Sequence, residues 1–301
     1  MLPINYIVLE GPDLVGKTSL FSSLHRSTAY RYNIIDRSSL SNLCYAQLYG
    51  RPDEEPRRRL QEEISNLNNF ILVLLLPRDE ILRRLTTRGD EFQDAVSLMR
   101  LYDIFSEEVE KIRTSPNVFV VNDAMDPQSL TSHVSDLISA HENSSPGDVG
   151  KSLAGLVKCM EMSEAQVRFT LKVDPTYRDH AIMSDPKETH YYNGIMSDCS
   201  RIIRREMDGV NPYNKPQDLT SRRFFYSSDT CISSVHFLPR AGDLKVLCNL
   251  RSTDVLRNGE IDTRFLAHLA AFIPRSFDWP VNRIYVSVSF NSAHVRTDIV
   301  D

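Results

Sequence analysis

Along the first half of the chain, short apolar runs alternate with stretches of helical spacing. Residues 6–9, Tyr-Ile-Val-Leu, form one such run; a glycine-containing loop follows, and residues 18–24 resume at helical spacing. Strand, loop and helix are predicted in that order. Further buried strands are predicted at 33–35, 70–76 and 117–121, with helical patterns between them. Continuous apolar strands that alternate with helices belong to a parallel sheet covered on both faces, so this half is predicted to be an α/β domain. The second half has a different texture. Strands are predicted at 167–173, 223–227, 233–238, 244–250 and 283–290, and helices at 198–207 and 263–272. Without regular alternation, α+β is the better class. Between the halves, residues 139–151 are polar and rich in helix breakers. They predict a first domain at 1–142, a linker at 143–151 and a second domain at 152–301. The dense mixed charge at 51–63 is read as a solvated helix or lid rather than a binding patch.

Composition narrows the functional classes. A chain of 301 residues with 41% hydrophobic and 25% charged residues can bury two ordinary cores. The net charge of −5 argues against a global field that attracts nucleic acid or anionic membrane, so contact with a polyanion must be local. There is no basic leader, and no apolar run approaches the roughly 18 residues that span a bilayer. The expected location is the cytoplasm, the host cell's if the source is viral. Five cysteines are scattered without a C-x-x-C pair, which argues against a disulfide framework and a zinc site but leaves one free to act as a nucleophile.

The sharpest motif is Gly11-Pro12-Asp13-Leu14-Val15-Gly16-Lys17-Thr18, which fits the phosphate-binding pattern G-x-x-x-x-G-K-[ST] between a strand and a helix. Backbone N–H groups of such a loop converge on phosphate oxygens. Lys17 would meet the β- and γ-phosphates, and Thr18 would ligate Mg²⁺. Gly11, Asp13, Gly16, Lys17 and Thr18 are therefore candidate ATP-binding residues. Together with Glu10-Gly11-Pro12-Asp13, Asp36-Arg37-Ser38 and Arg88-Gly89, this half resembles the thymidylate kinase and deoxynucleoside kinase group. The resemblance implies that Asp36 and Arg37 lie beside the transferred phosphate or acceptor, and that Arg83, Arg84 or Arg88 closes over the ATP phosphates. It also implies that Asn122-Asp123-Ala124 is the adenine-side loop. Only about twenty residues separate Thr18 from Asp36, so the acceptor-binding elements that thymidylate kinases insert there are expected to be missing. Alone, Asp36-Arg37 could be an ion pair at a strand end.

In the second half, Arg251-Ser252-Thr253-Asp254 follows a strand and is rich in phosphate-binding groups. With Cys231, Arg222-Arg223, Asp262 and His294 it resembles thymidylate synthase and the deoxycytidylate hydroxymethylases over roughly residues 165–296. The resemblance implies that Cys231 adds to C6 of a pyrimidine ring, so that C5 can attack a one-carbon unit from methylenetetrahydrofolate. Arg251 and Ser252, in the motif that ends at Asp254, would bind the 5′-phosphate. Arg222 and Arg223 would reach the same phosphate from the partner in a homodimer, and His294 would touch the sugar. Asp262 stands where thymidylate synthases carry Asn, which points to a cytosine nucleotide; a helix N-cap is the alternative. Thr230 and Ile232 flank Cys231 where the family has Pro and His, His236 and Arg296 replace a Gln and a Tyr, and the chain ends seven residues after His294. An ordinary buried cysteine thus remains an alternative for Cys231, and Glu161 and Glu164 are guesses for the general base.

The expected function is that of a two-domain, phage-type enzyme of pyrimidine metabolism: an ATP- and Mg²⁺-dependent nucleotide or nucleoside kinase joined to a dCMP hydroxymethylase-like domain. Two alternatives stay open. The second domain could be a non-catalytic nucleotide sensor or dimerisation module, or the kinase could act on a modified base in DNA.

Overall fold

The computed structural model describes residues 1–88, 94–159, 164–180, 182, 186–208 and 224–295. They form two compact units: Ile4–Asn143 is the body of one, which also takes Lys158 and Cys159, and Met1–Pro3 joins Ser144–Val157 and the described residues from 164 onward in the other. Met1 pairs with Lys172 there, its carbonyl accepting from the Lys172 N–H at 2.8 Å.

In the Ile4–Asn143 unit the order is β1 (Tyr6–Glu10), α1 (Lys17–Ser27), β2 (Ile34–Asp36), α2 (Ser39–Leu48), α3 (Glu54–Ile64), β3 (Asn69–Leu74), α4 (Arg78–Arg88), α5 (Ala95–Ile112), β4 (Val118–Val121) and α6 (Pro127–Glu142). The four strands are parallel in the order β2-β1-β3-β4. Ile7, Leu9, Phe70, Leu72 and Leu74 point to one face, where they pack with Leu20 and Leu24 of α1 and with Val134 and Ile138 of α6. Val8, Ile71 and Val73 point the other way and are equally buried. Burial on both faces is why these strands read as unbroken apolar runs. The mixed-charge stretch is α3, whose exposed arginines pair along the helix, Arg58 with Glu55 and Glu62, and Arg59 with Glu55.

The second unit contains α7 (Pro146–Cys159), β5 (Glu164–Val173), α8 (Pro186–Asp208), β6 (Phe225–Ser227), β7 (Ile232–Arg240), β8 (Asp243–Leu250), β9 (Thr253–Asp254), α9 (Gly259–Ser276) and β10 (Arg283–His294). Its sheet is mixed, in the order β5-β10-β8-β7-β6 with β9 against β10. β10 runs antiparallel to β5 and parallel to β8 and β9. Every second residue of β8 is buried, the period expected when one sheet face is covered.

Two expectations are corrected. The segment 143–151, read as linker, carries the first turns of α7. Its breakers are start signals: the Ser145 N–H donates to Asp148 and the Asp148 N–H donates to Ser145 Oγ, both at 3.1 Å, while Pro146 takes the first helical position. The helix expected at 198–207 starts at Pro186, its buried stripe running through Tyr192, Ile195, Met196, Cys199 and Ile203 at helical spacing.

One buried titratable group ties β3 to α6. His141 is 5% exposed against the rings of Phe70 and Phe119, and its Nε2–H donates to the Leu67 carbonyl at 3.0 Å. Burial pushes its pKa down to about 4. The folded-state value lies below the unfolded one, so the stabilisation from burying the neutral ring is complete above pH 6.5 and is lost as pH falls through 4. Relative to His141→Gln, the wild type is expected to lose about 3 kcal/mol over that window. Urea unfolding of both proteins at several pH values measures it; a constant difference would contradict the assignment.

Candidate functional site

Because β1 lies between β2 and β3, successive connections leave its end on opposite sides and open a crevice at the carboxyl ends of the strands. The 11–18 loop occupies that crevice. Gly11 has φ 131°, and a Cβ there would stand 2.2 Å from the Leu74 carbonyl oxygen, so glycine alone lets the loop cross the end of β3. Gly16, φ 104°, is the N-cap of α1, and no side chain caps that helix. A glycine N-cap offers no side chain to the first-turn N–H groups of α1, an arrangement suited to an anion.

Lys17 is 6% exposed, and its Nζ donates to the carbonyls of Gly11 at 2.6 Å and Pro12 at 2.7 Å. Burial, reinforced by the nearby Arg37 charge, lowers its pKa to about 8. Thr18 and Asp36 are both exposed, presenting a hydroxyl and a carboxylate. These oxygen donors fit Mg²⁺, which typically takes one or two protein ligands together with phosphates.

Glu10, wholly buried at the end of β1, accepts from the Ser38 N–H at 2.8 Å, the Ser41 N–H at 3.2 Å and the Ser41 hydroxyl. Burial raises its pKa against these bonds. The Arg37 N–H donates to the Leu9 carbonyl at 3.0 Å, and Arg37 itself takes a left-handed φ of 67°. Its guanidinium then pairs with Asp13 and lies 5.6 Å from the centre of the Tyr45 ring, while the Tyr45 hydroxyl donates to Asp13 at 2.6 Å. Asp13, expected with the triphosphate, therefore turns its carboxylate to Arg37 and Tyr45. Tyr45 was not legible as a site residue; its one signal is its place one helical turn after Ser41.

Of the lid arginines, Arg84 donates to Glu80 at 2.6 Å and to the Leu14 and Val15 carbonyls, both at 3.1 Å. Arg83 pairs with Glu80. Arg88 ends α4, and its side chain lies outside the described residues, as does Gly89. Beside Gly16 and Arg84 a cleft of about 300 Å³ opens, walled by Val15, Leu20, Leu76, Met125 and Leu130 and reached by Asp123.

The second unit gathers most of its expected residues at one end of its sheet. The Arg251 N–H donates to the Cys231 carbonyl at 2.8 Å, Ser252 Oγ lies 3.5 Å from His294 Nδ1, and β9 pairs Asp254 with His294. Arg251 and Cys231 are exposed; Asp254 is buried and faces Arg257 at 3.7 Å. The Tyr191 hydroxyl, absent from the sequence expectations, donates to Thr230 at 3.1 Å and accepts from the Ile232 N–H at 3.4 Å, on either side of Cys231. Arg222, Arg223, Glu161 and Arg296 lie outside the described residues, and so does the side chain of Glu164.

Asp262 is 3% exposed and does not cap α9, whose N-cap is Asn258. Its two oxygens accept from the hydroxyls of Tyr192 at 2.9 Å and Thr253 at 3.3 Å. Tyr192 itself stacks on Phe265 at 4.2 Å.

Cys231 is the exposed one among the five cysteines. Burial pushes the Cys199 thiol up to about 12 and raises those of Cys44, Cys159 and Cys248. Iodoacetamide is expected to label the native protein first at Cys231, by peptide mass mapping, and Cys231→Ser should remove that fast phase. Equally fast labelling of Cys44 or Cys248 would contradict this burial pattern.

Among the described residues no group of three or more His, Cys, Asp or Glu could hold a metal ion by itself, and no helix is long and apolar enough to cross a membrane. No family model and no curated protein matches the sequence. Among solved structures, the chain is similar to the YorR protein of Bacillus subtilis in complex with phosphorylated GDP, with 20% identity, 46% of this chain and 99% of that chain covered, and a TM-score of 0.39. It is also similar to thymidylate synthase from phage T4, with 19% identity and a TM-score of 0.26, covering 34% of this chain and 35% of that chain. The chain thus spans about a third of the length of the phage enzyme.

Proposed function

We propose that the Ile4–Asn143 unit is a phosphotransferase that holds a nucleoside triphosphate on the 11–18 loop and passes its terminal phosphoryl group to a pyrimidine nucleotide or nucleoside. The observation that carries this reading is Lys17, a nearly buried cation held on the loop's own carbonyls beside Asp13 and Arg37. A desolvated ammonium in a loop of convergent backbone N–H groups gains most when phosphate oxygens replace those carbonyls. Thr18 and Asp36 would hold Mg²⁺, which when bound neutralises phosphate charge. Arg37, exposed and paired with Asp13, would turn to the incoming phosphate. Asp13 is then left to accept the hydroxyl proton of a nucleoside acceptor, whereas the ionised phosphate oxygen of a nucleotide acceptor attacks without proton loss. The attacking oxygen forms a bond to the γ-phosphorus as the bond to the β–γ bridging oxygen breaks, and the nucleoside diphosphate leaves with the electron pair.

In the second unit, Arg251, Ser252 and His294 fit the phosphate and sugar of a pyrimidine nucleotide, and exposed Cys231 fits addition to its C6. The residues described around Cys231 account for nucleotide capture and not for a folate, so no step through that carrier is derived. One observation favours a second reading for this unit, a nucleotide-binding or dimerisation module. Both oxygens of Asp262 already accept hydroxyl protons within the fold, which draws them away from a base edge.

Incubation with a Mg²⁺–nucleoside triphosphate, methylenetetrahydrofolate and dCMP, dUMP or oligonucleotides carrying hydroxymethylpyrimidines, read by mass spectrometry, tests both halves. Phosphorylated product is expected, and Lys17→Ala should lower its rate by about 10²-fold or more. Absence of phosphoryl transfer to every acceptor would overturn the kinase reading. Hydroxymethylated product that Cys231→Ala abolishes would overturn the module reading.

A further inference from the structure

The cleft beside the 11–18 loop has a chemistry of its own. It opens next to Gly16, so a nucleotide whose phosphates lie on the loop would extend its base into it. Val15, Leu20, Leu76, Met125 and Leu130 provide apolar walls for a flat ring but distinguish no base from another. Discrimination falls to the polar groups. Arg84 is engaged with Glu80 and two loop carbonyls, Arg83 pairs with Glu80, and the Thr87 hydroxyl donates to the Arg83 carbonyl at 2.8 Å. Asp123, in the segment just after β4, reaches the same cleft and makes no hydrogen bond or ion pair among the described residues.

We infer that this cleft takes a guanine base, with Asp123 reading the base's Watson–Crick edge; the inference rests on the proposal that the loop binds a nucleoside triphosphate. An ionised carboxylate is an acceptor only, with two oxygens side by side. Guanine offers the matching pair of donors, N1–H and the N2 amino group, which meet a carboxylate as two parallel charge-assisted hydrogen bonds. Adenine places a lone pair at N1 beside its N6 amino group, so one carboxylate oxygen would face an acceptor. Cytosine and uracil each offer one donor beside an acceptor on that edge. The phosphates anchor any nucleoside triphosphate, and Asp123 sorts among the bases. The loop motif, which led to the expectation of ATP, fits any nucleoside triphosphate, whereas Asp123 points to a base with two adjacent donors.

Calorimetric titration of the full chain with Mg²⁺ and GTP, ITP or ATP tests the inference. Inosine keeps N1–H and lacks the N2 amino group, so the expected order of affinity is GTP, then ITP, then ATP. GTP is expected to bind about 10- to 100-fold more tightly than ATP, below the discrimination of a fully enclosed site because Asp123 is exposed. Asp123→Ala should bring the three dissociation constants together while triphosphate binding persists through the loop, and Lys17→Ala should weaken all three alike. ATP binding as tightly as GTP, or a GTP preference that survives Asp123→Ala, overturns the guanine assignment and leaves the loop's function standing. Failure of all three nucleotides to bind overturns the loop's function and the guanine assignment with it.

Discussion

The buried carboxylate of Glu10 is the constraint on which the geometry of the first unit depends. At the last residue of β1 it accepts from two backbone N–H groups and one hydroxyl of the β2–α2 corner, bonds that favour the charged form against the burial that raises its pKa. A buried carboxylate left unpaired costs several kcal/mol, so the corner that carries Asp36 and Arg37 is pinned to the strand that launches the 11–18 loop. Ser38 also donates to Glu63 of α3 at 2.8 Å, which draws a second helix to the same point. Arg37 meets Asp13 because of this anchorage: its left-handed φ, costing about 1 kcal/mol or more, persists only where the surroundings over-determine it.

The second unit assembles its cluster by different means. Pairing of β7 with β8 brings Cys231 beside Arg251, and the parallel pairing of β9 with β10 brings Asp254 to His294. The backbone thus collects residues that lie far apart in the chain. Hydroxyls of Tyr191 and Tyr192 from α8 then fasten Thr230 on one side and Asp262 on the other. Asp262 acts here as a tie between α8, β9 and α9.

What was legible in the sequence was local. The 11–18 loop announces itself because its glycines are required within a few residues by a backbone that crosses the Leu74 carbonyl. Strands β1 and β3 were legible because burial on both faces leaves unbroken apolar runs, whereas β2, expected to be buried, is an edge strand of the sheet with Ile35 exposed. The start of α7 was hidden, since Ser145, Pro146 and Asp148 serve a linker and a helix N-terminus equally well in composition. The family resemblance pointed to a base-side place for Asn122–Ala124, but the orientation of Asp13 and the engagement of Asp262 were beyond reach. These two depend on partners 32 and 70 positions away, brought close by strand order and helix packing that no short motif encodes.

The central claim is that the 11–18 loop is a phosphate site whose lysine rests on its own carbonyls until phosphate displaces them. A crystal structure with Mg²⁺ and a non-hydrolysable nucleoside triphosphate tests it most directly. The account predicts β- and γ-phosphates against the loop N–H groups, with Lys17 Nζ moved from the Gly11 and Pro12 carbonyls onto phosphate oxygen. Triphosphate bound elsewhere, with Lys17 still on those carbonyls, would contradict it.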